Sequence, residues 1–202
     1  MVKDKKGVGE SSSREVLSEI ETFGTHPRHV ASKNALRDIC NVIETEVEPE
    51  MSKIETHSGI KAGVDVLKEI SCGYGFGGRI EEEQLEHHIS RLEDYNEQLK
   101  PEALSASEQD ALLIICHLTE GKIEPLAERV LDIHAPKGRE GARDSPHSVL
   151  YLGSQGVGCS VDAIRKVTCG LGFENQKPHI DAEVECLKQF AAAIRRFDYP
   201  GR

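Results

Sequence analysis

The strongest constraint on how this chain folds is that it repeats itself. Residues 35–54 (ALRDICNVIETEVEPEMSKI) align with residues 111–130 (ALLIICHLTEGKIEPLAERV) at seven identical and four conservative positions out of twenty, at an offset of 76. Residues 64–76 (VDVLKEISCGYGF) align with residues 161–173 (VDAIRKVTCGLGF) at six identical and four conservative positions out of thirteen, at an offset of 97. The blocks run in the same order, and each second block precedes a long amphipathic stretch. The offsets differ by 21, so the second copy carries an insertion between its blocks. A unit of roughly 70 residues has little core of its own, and two such units gain by burying their apolar faces against each other.

The apolar spacing is helical throughout, and no hairpin dipeptide sits between alternating apolar runs. The expected fold is therefore an all-α, compact bundle of about eight or nine helices with pseudo-twofold internal duplication. Residues 1–10 form a flexible N-terminus, 11–100 the first helical unit and 101–202 the second, packed as one domain with an inserted loop at 135–156. Ser12 with Glu15, and Ser105 with Glu108, have capping-box spacing. The first opens a helix bearing Val16, Leu17, Ile20 and Phe23. The second precedes Ala111 to Cys116, so apolar all round that its helix is expected to be the most buried. Pro49 and Pro125 are expected to open new helices. The glycine cluster from Gly73 to Gly78 is expected to stop a helix beginning near Lys61, with Gly73, Gly75, Gly170 and Gly172 relieving the backbone after helix ends. Phe76 and Phe173 are expected to plug matching sites. Val149 to Leu152 reads as a buried turn or short strand, followed by a helix capped by Ser160.

Charge and composition narrow the function classes. A net charge of −10, from 35 acidic and 25 basic residues, disfavours a broad phosphate-binding surface. Five Phe, four Tyr and no Trp leave little aromatic platform for stacking bases. The charged start, Met1 to Lys6, is followed by no apolar stretch of secretory length, and the longest apolar run is six residues, against the roughly 20 of a membrane span. The reading is an intracellular protein, cytoplasmic or nuclear, with no membrane span and reduced cysteines.

Candidate sites are few. Cys40 matches Cys116 and Cys72 matches Cys169; their apolar or helix-end positions point to packing roles. Cys159 and Cys186 have no counterpart, and Cys159, expected just ahead of a helix N-terminus, is placed where a thiolate is stabilised. His26, His29, His87 and His88 are the candidate metal ligands, although their spacing is neither that of a zinc finger nor that of HExxH. Lys137, Arg139 and Arg143 make the inserted loop locally basic in an acidic chain and, with Arg195 and Arg196, form the candidate binding surface for nucleic acid. No Walker motif, GxSxG elbow or other catalytic set is visible, and no cofactor is implied.

The segments Thr45-Glu46-Val47-Glu48-Pro49-Glu50 and Gly121-Lys122-Ile123-Glu124-Pro125-Leu126, each after an apolar helix, resemble the acidic-turn-then-helix element that TerB-like tellurite-resistance domains carry twice. That resemblance implies an all-helical, metal-associated stress protein. It covers about forty residues, Glu44-Thr45 and Glu120-Gly121 replace the family's Asp-Gly pair, and the CGxGF blocks have no counterpart there. The leading functional expectation is a non-enzymatic interaction or assembly protein, self-associating or binding a protein partner, with helices 81–99 and 178–197 as interface elements. The alternatives are a viral or regulatory nucleic-acid-associated protein using the basic loop, and a metal-dependent helical protein.

Overall fold

A computed structural model describes residues 27–54, 58–76, 80–97, 104–134, 147–174 and 176–197, and every regular element among them is helical. The described residues form six unbroken rods: α1 (27–51), α2 (Ser58–Phe76), α3 (Glu82–Glu97), α4 (106–134), α5 (147–174) and α6 (Asp181–Phe197). The predicted helix around Val16 to Phe23, and residues 135–146 of the predicted loop, lie outside the described residues.

Six rods replace the expected eight or nine chiefly because Pro49 and Pro125 do not interrupt the chain. Rod α1 passes from α-helix Pro27–Val42 through a π-helical turn, Ile43–Val47, into α-helix Glu48–Met51. Rod α4 does the same through Ala106–Leu118, Thr119–Ile123 and Glu124–His134. Just before each proline an N–H reaches five residues back, Glu48 to the Ile43 carbonyl and Glu124 to the Thr119 carbonyl. The widened turn shifts the hydrogen-bond register, so that each proline enters as a first-turn residue, where its missing N–H has no partner to lose.

The glycines are likewise interior. Rod α2 runs through Gly73 and Gly75, and the π-helical turn Gly170–Glu174 continues α5. A Cβ at Gly75 would lie 3.0 Å from the Arg37 backbone nitrogen, and one at Gly172 would lie 2.8 Å from Leu113 Cδ2. The glycines therefore serve close approach between rods rather than relief after a helix end. The same principle turns the predicted loop residues 147–156 into helix. A Cβ at Gly156 would lie 2.8 Å from the Phe190 ring and one at Gly153 would lie 3.0 Å from the Tyr74 ring, so the bare glycines let α5 lie tightly on its neighbours. Ser160 is no cap; it is buried in mid-helix and its hydroxyl donates to the Gly156 carbonyl. Cys159 is mid-helix too, without the helix N-terminus expected ahead of it. The Ser105–Glu108 capping box is present in full.

Packing pairs the rods in a regular way: α1 lies on α4, α2 on α5 and α3 on α6, while α2 contacts both α1 and α3, and α5 both α4 and α6. The central elements are thus α2 and α5, not the helix carrying Ala111 to Cys116. That helix buries Ala111, Leu112, Ile115 and Cys116 but leaves Ile114 42% exposed. The core includes Ile39, Ile43, Ile60, Leu67, Ile70, Leu85, Leu92, Leu112, Ile115, Ile123, Ile164 and Phe190. Rods α3 and α6 direct their apolar faces inward, with Leu85, Ile89, Leu92, Val184, Leu187 and Ile194 buried. Their outer edges are tied by Lys188 to Glu93 and by Arg195 to Glu82 and Glu86. No helix among the described residues is long and apolar enough to cross a membrane.

The expectation of reduced cysteines is overturned. Cys40 pairs with Cys72, Cys116 with Cys169, and Cys159 with Cys186 as disulfides. The sequence alone placed these residues 32, 53 and 27 positions apart with no compact motif. It is rod packing that brings each pair within bonding reach. Three disulfides remove one ground for expecting a reducing compartment.

Candidate redox centres

Two of the three disulfides sit in matching surroundings. In the first, Cys40 lies on α1 with Glu44 one helical turn further on, and Cys72 comes from the last turn of α2. In the second, Cys116 and Glu120 lie on α4 with the same spacing, and Cys169 comes from α5. The Cα–Cα distance is 5.2 Å in both. The i, i+4 spacing puts each glutamate on the same helix face as its cysteine. Each glutamate also falls within the π-helical turn, a feature that recurs at functional sites in helices.

In each centre the two sulfurs and a carboxylate oxygen all lie within 4.8 Å of one another. Glu120 Oε1 is 3.8 Å from Cys169 Sγ. Cys40 and Cys116 are buried, Cys72 and Cys169 half-buried, and the two glutamates exposed. One cysteine of each bridge is thus partly open to solvent while the other is sealed in the core. The Cys159–Cys186 bridge between α5 and α6 has no such carboxylate among the described residues.

The charges around the two centres also correspond. Lys68 meets Glu48 at 2.6 Å and Glu44 at 3.4 Å. The hydrogen bond to Glu48, reinforced by both carboxylate charges against some desolvation, holds its ammonium above the usual lysine value. At the second centre Arg165 contacts Glu124 at 3.9 Å. Between the two, Lys122 bonds Glu46, joining the π-helical turns of α1 and α4. Their outer surfaces differ. Beside the second centre Phe173 is 60% exposed with its ring 6.0 Å from that of His117, and Ile114 is exposed one turn before His117. The aligned positions beside the first centre, Asp38 and Asn41, are polar and exposed. Phe173 therefore does not plug a core site; the Phe76 side chain lies outside the described set.

No protein-family model matches the chain, and no curated protein or solved structure matches it at a significant level.

The residues singled out from sequence fare unevenly. Cys40, Cys72, Cys116 and Cys169 converge in pairs, and Pro49 and Pro125 each follow a π-helical turn that carries one of the glutamates. His87 and His88 have ring centroids 5.8 Å apart, but His88 turns toward Asp65, its Nδ1 at 3.7 Å from the carboxylate. Burial, first, and the charge of Arg91 hold His88 below the ordinary histidine value against the pull of Asp65. His26 and the His29 side chain lie outside the described set, as do Lys137, Arg139, Arg143 and the Arg196 side chain. Arg195 is engaged by Glu82 and Glu86. Glu44 and Glu120 were not among the residues singled out, although a readable signal existed: Cys-x3-Glu recurs at the offset of the first block.

Proposed function

We propose that this chain is a thiol–disulfide redox protein with two equivalent centres, carried on two copies of one three-helix unit docked about a pseudo-twofold axis. The observation that carries the redox reading is the carboxylate within 4.8 Å of both sulfurs at two matching disulfides and at no third one among the described residues. The duplication is supported by the pairing of aligned rods. It is supported also by Gly59 against the Tyr95 ring and Gly156 against the Phe190 ring, since Gly59 and Gly156 are separated by the 97 residues of the second-block offset. Glu46 and Lys122 are 76 apart, the first-block offset, and face each other, as aligned positions do near a twofold axis.

The chemistry follows from which sulfur is reachable. A thiolate from an external dithiol attacks the half-buried Cys169 sulfur, the Cys116–Cys169 bond breaks, and Cys116 leaves and takes up a proton. The donor's second thiolate then attacks its own sulfur in the mixed disulfide and releases Cys169. Two electrons and two protons have moved, and the donor departs as a disulfide. In the reverse direction Glu120 is the base that takes the proton from buried Cys116 as it closes the bridge. Cys72, Cys40 and Glu44 play the same parts at the first centre.

Equilibration in thiol redox buffers, followed by alkylation and mass spectrometry, tests the reading. The expected result is that Cys40–Cys72 and Cys116–Cys169 have midpoint potentials above about −300 mV and open in buffers that are still above that level, where structural bridges stay closed. If both survive there with the fold intact, they are girders and the reading fails. The protein-partner expectation gains specific support only at the second centre, where exposed Ile114 and Phe173 offer a protein dithiol an apolar foothold. Phe173→Ser is expected to slow reduction of Cys116–Cys169 by a protein dithiol and leave reduction by a small dithiol unchanged.

A further inference from the structure

We propose that each centre, once its disulfide is opened, is a site for a thiophilic divalent cation of the zinc, cobalt and cadmium class, held by Cys40, Cys72 and Glu44 in one and by Cys116, Cys169 and Glu120 in the other. The proposal rests on the redox reading only in needing bridges that open; it needs no exchange partner. When a small-molecule disulfide accepts the two electrons and departs as two thiols, the paired cysteines close again and release the ion, so the chain alternates between disulfide and metal.

The donor set fits this class of ion. Two thiolates and a carboxylate match the borderline-soft preference of zinc-like ions, whereas magnesium and calcium take oxygen donors alone. With metal–sulfur bonds of about 2.3 Å in tetrahedral geometry, the two sulfurs stand roughly 3.8 Å apart. The existing grouping, with all three ligand atoms within 4.8 Å, needs only side-chain rotation to open that far. The carboxylate also has a defined approach, because the π-helical turn carries Glu44 and Glu120 on the same rod as Cys40 and Cys116. Three protein ligands leave a fourth position, and the exposed glutamates place it toward solvent, the pattern of an open rather than a closed zinc site.

Charge supports occupancy of the reduced state alone. Two thiolates and a carboxylate around a dication leave one negative charge, and Lys68, 3.4 Å from Glu44, offsets it at the first centre. With the bridge closed only a single exposed carboxylate remains as a ligand, too little to hold such an ion. Opening by a trialkylphosphine is balanced by water: the phosphine becomes its oxide, the disulfide becomes two thiols, and the entering cation displaces the two thiol protons.

The test uses the full chain, opened anaerobically with the phosphine, freed of it by gel filtration and titrated with Co2+. The readout is thiolate-to-cobalt charge transfer, with helical content followed by circular dichroism. The reduced chain is expected to bind two equivalents, the oxidised chain none, and a Cys40→Ser/Cys72→Ser variant one. A third equivalent is not expected, because Cys159 and Cys186 have no grouped carboxylate among the described residues. Glu44→Gln with Glu120→Gln is expected to weaken binding by at least the roughly tenfold to hundredfold that follows loss of a residue merely supporting a ligand. Thiols of an unfolded chain would bind without regard to that change, so an unaltered affinity overturns the proposal. So does a folded, reduced chain that binds no cobalt, or a pair of bridges that the phosphine cannot open without denaturant. The outcomes separate from those of the redox reading. Bridges closed to thiol buffers but cobalt-competent after phosphine sink that reading and keep this one, and exchange without cobalt does the reverse.

Discussion

Removing the Cys116–Cys169 bridge tests the tertiary arrangement most directly, because its effect follows from how far apart in sequence the rods α4 and α5 contribute their sulfurs. The bridge closes a loop with a sequence separation of 53. Chain-entropy arguments give about 4 kcal/mol for a closed loop of that size, lost when the unfolded state is freed of the constraint. A domain is stabilised by roughly 5–15 kcal/mol in all, so this is a large share. Cys116→Ala with Cys169→Ala is therefore expected to lower Tm by roughly 8–16 °C, at about 2–4 °C per kcal/mol for a chain of this length. Urea denaturation followed by circular dichroism measures the free energy directly. Because Cys116 is fully buried, the alanines also remove packing, so a chain with the other two bridges replaced by serines, in which phosphine opens Cys116–Cys169 alone, serves as a control that leaves Cys116 and Cys169 in place. A loss under about 1 kcal/mol in both measurements would refute the arrangement, for it would mean that the two sulfurs are not linked in the native chain. The Cys40–Cys72 bridge, with a separation of 32, is expected to contribute a similar amount, since loop entropy grows only logarithmically.

Other substitutions probe the packing and the pH response. Gly75→Ala is expected to destabilise by about 1–3 kcal/mol despite alanine's better helix propensity, because its Cβ would meet the Arg37 backbone at 3.0 Å; Gly172→Ala should cost less, since it meets the movable end of Leu113. Denaturation midpoints decide, and the reverse order would contradict the close approach of α1 and α2. His88 is held below the ordinary histidine value of 6.5, chiefly by burial. Between its folded value and 6.5 the unfolded chain binds more protons, so the His88 contribution to stability is intact above 6.5 and falls as the pH drops below it. His88→Asn should flatten that acid limb; parallel stability curves for variant and wild type would contradict this.

Much of the fold was written locally. The stripe of Leu36, Ile39, Ile43 and Val47, the capping box at Ser105 and Glu108, and the apolar faces of 81–99 and 178–197 depend on residues within a few turns of one another, and the sequence carries them in full. The recurrence of Cys40 as Cys116 and of Cys72 as Cys169 was equally legible. What each cysteine met was not, because a disulfide depends on two rods bringing the cysteine Cα atoms to 5.2 Å, and nothing in the local pattern of either block encodes that meeting.

The same reason explains the misread punctuation. Glycine near a helix end and proline after an acidic turn are ambiguous signals, compatible with a stop or with passage. Passage at Gly75 was decided by the neighbouring Arg37 backbone, and passage at Pro49 by a five-residue turn continuous with both helical segments. Composition and periodicity thus determined that this chain is helical and which faces are apolar. Tertiary structure alone decided which rods touch, which sulfurs bond and which carboxylates stand beside them, since those are properties of distance in space between residues far apart along the chain.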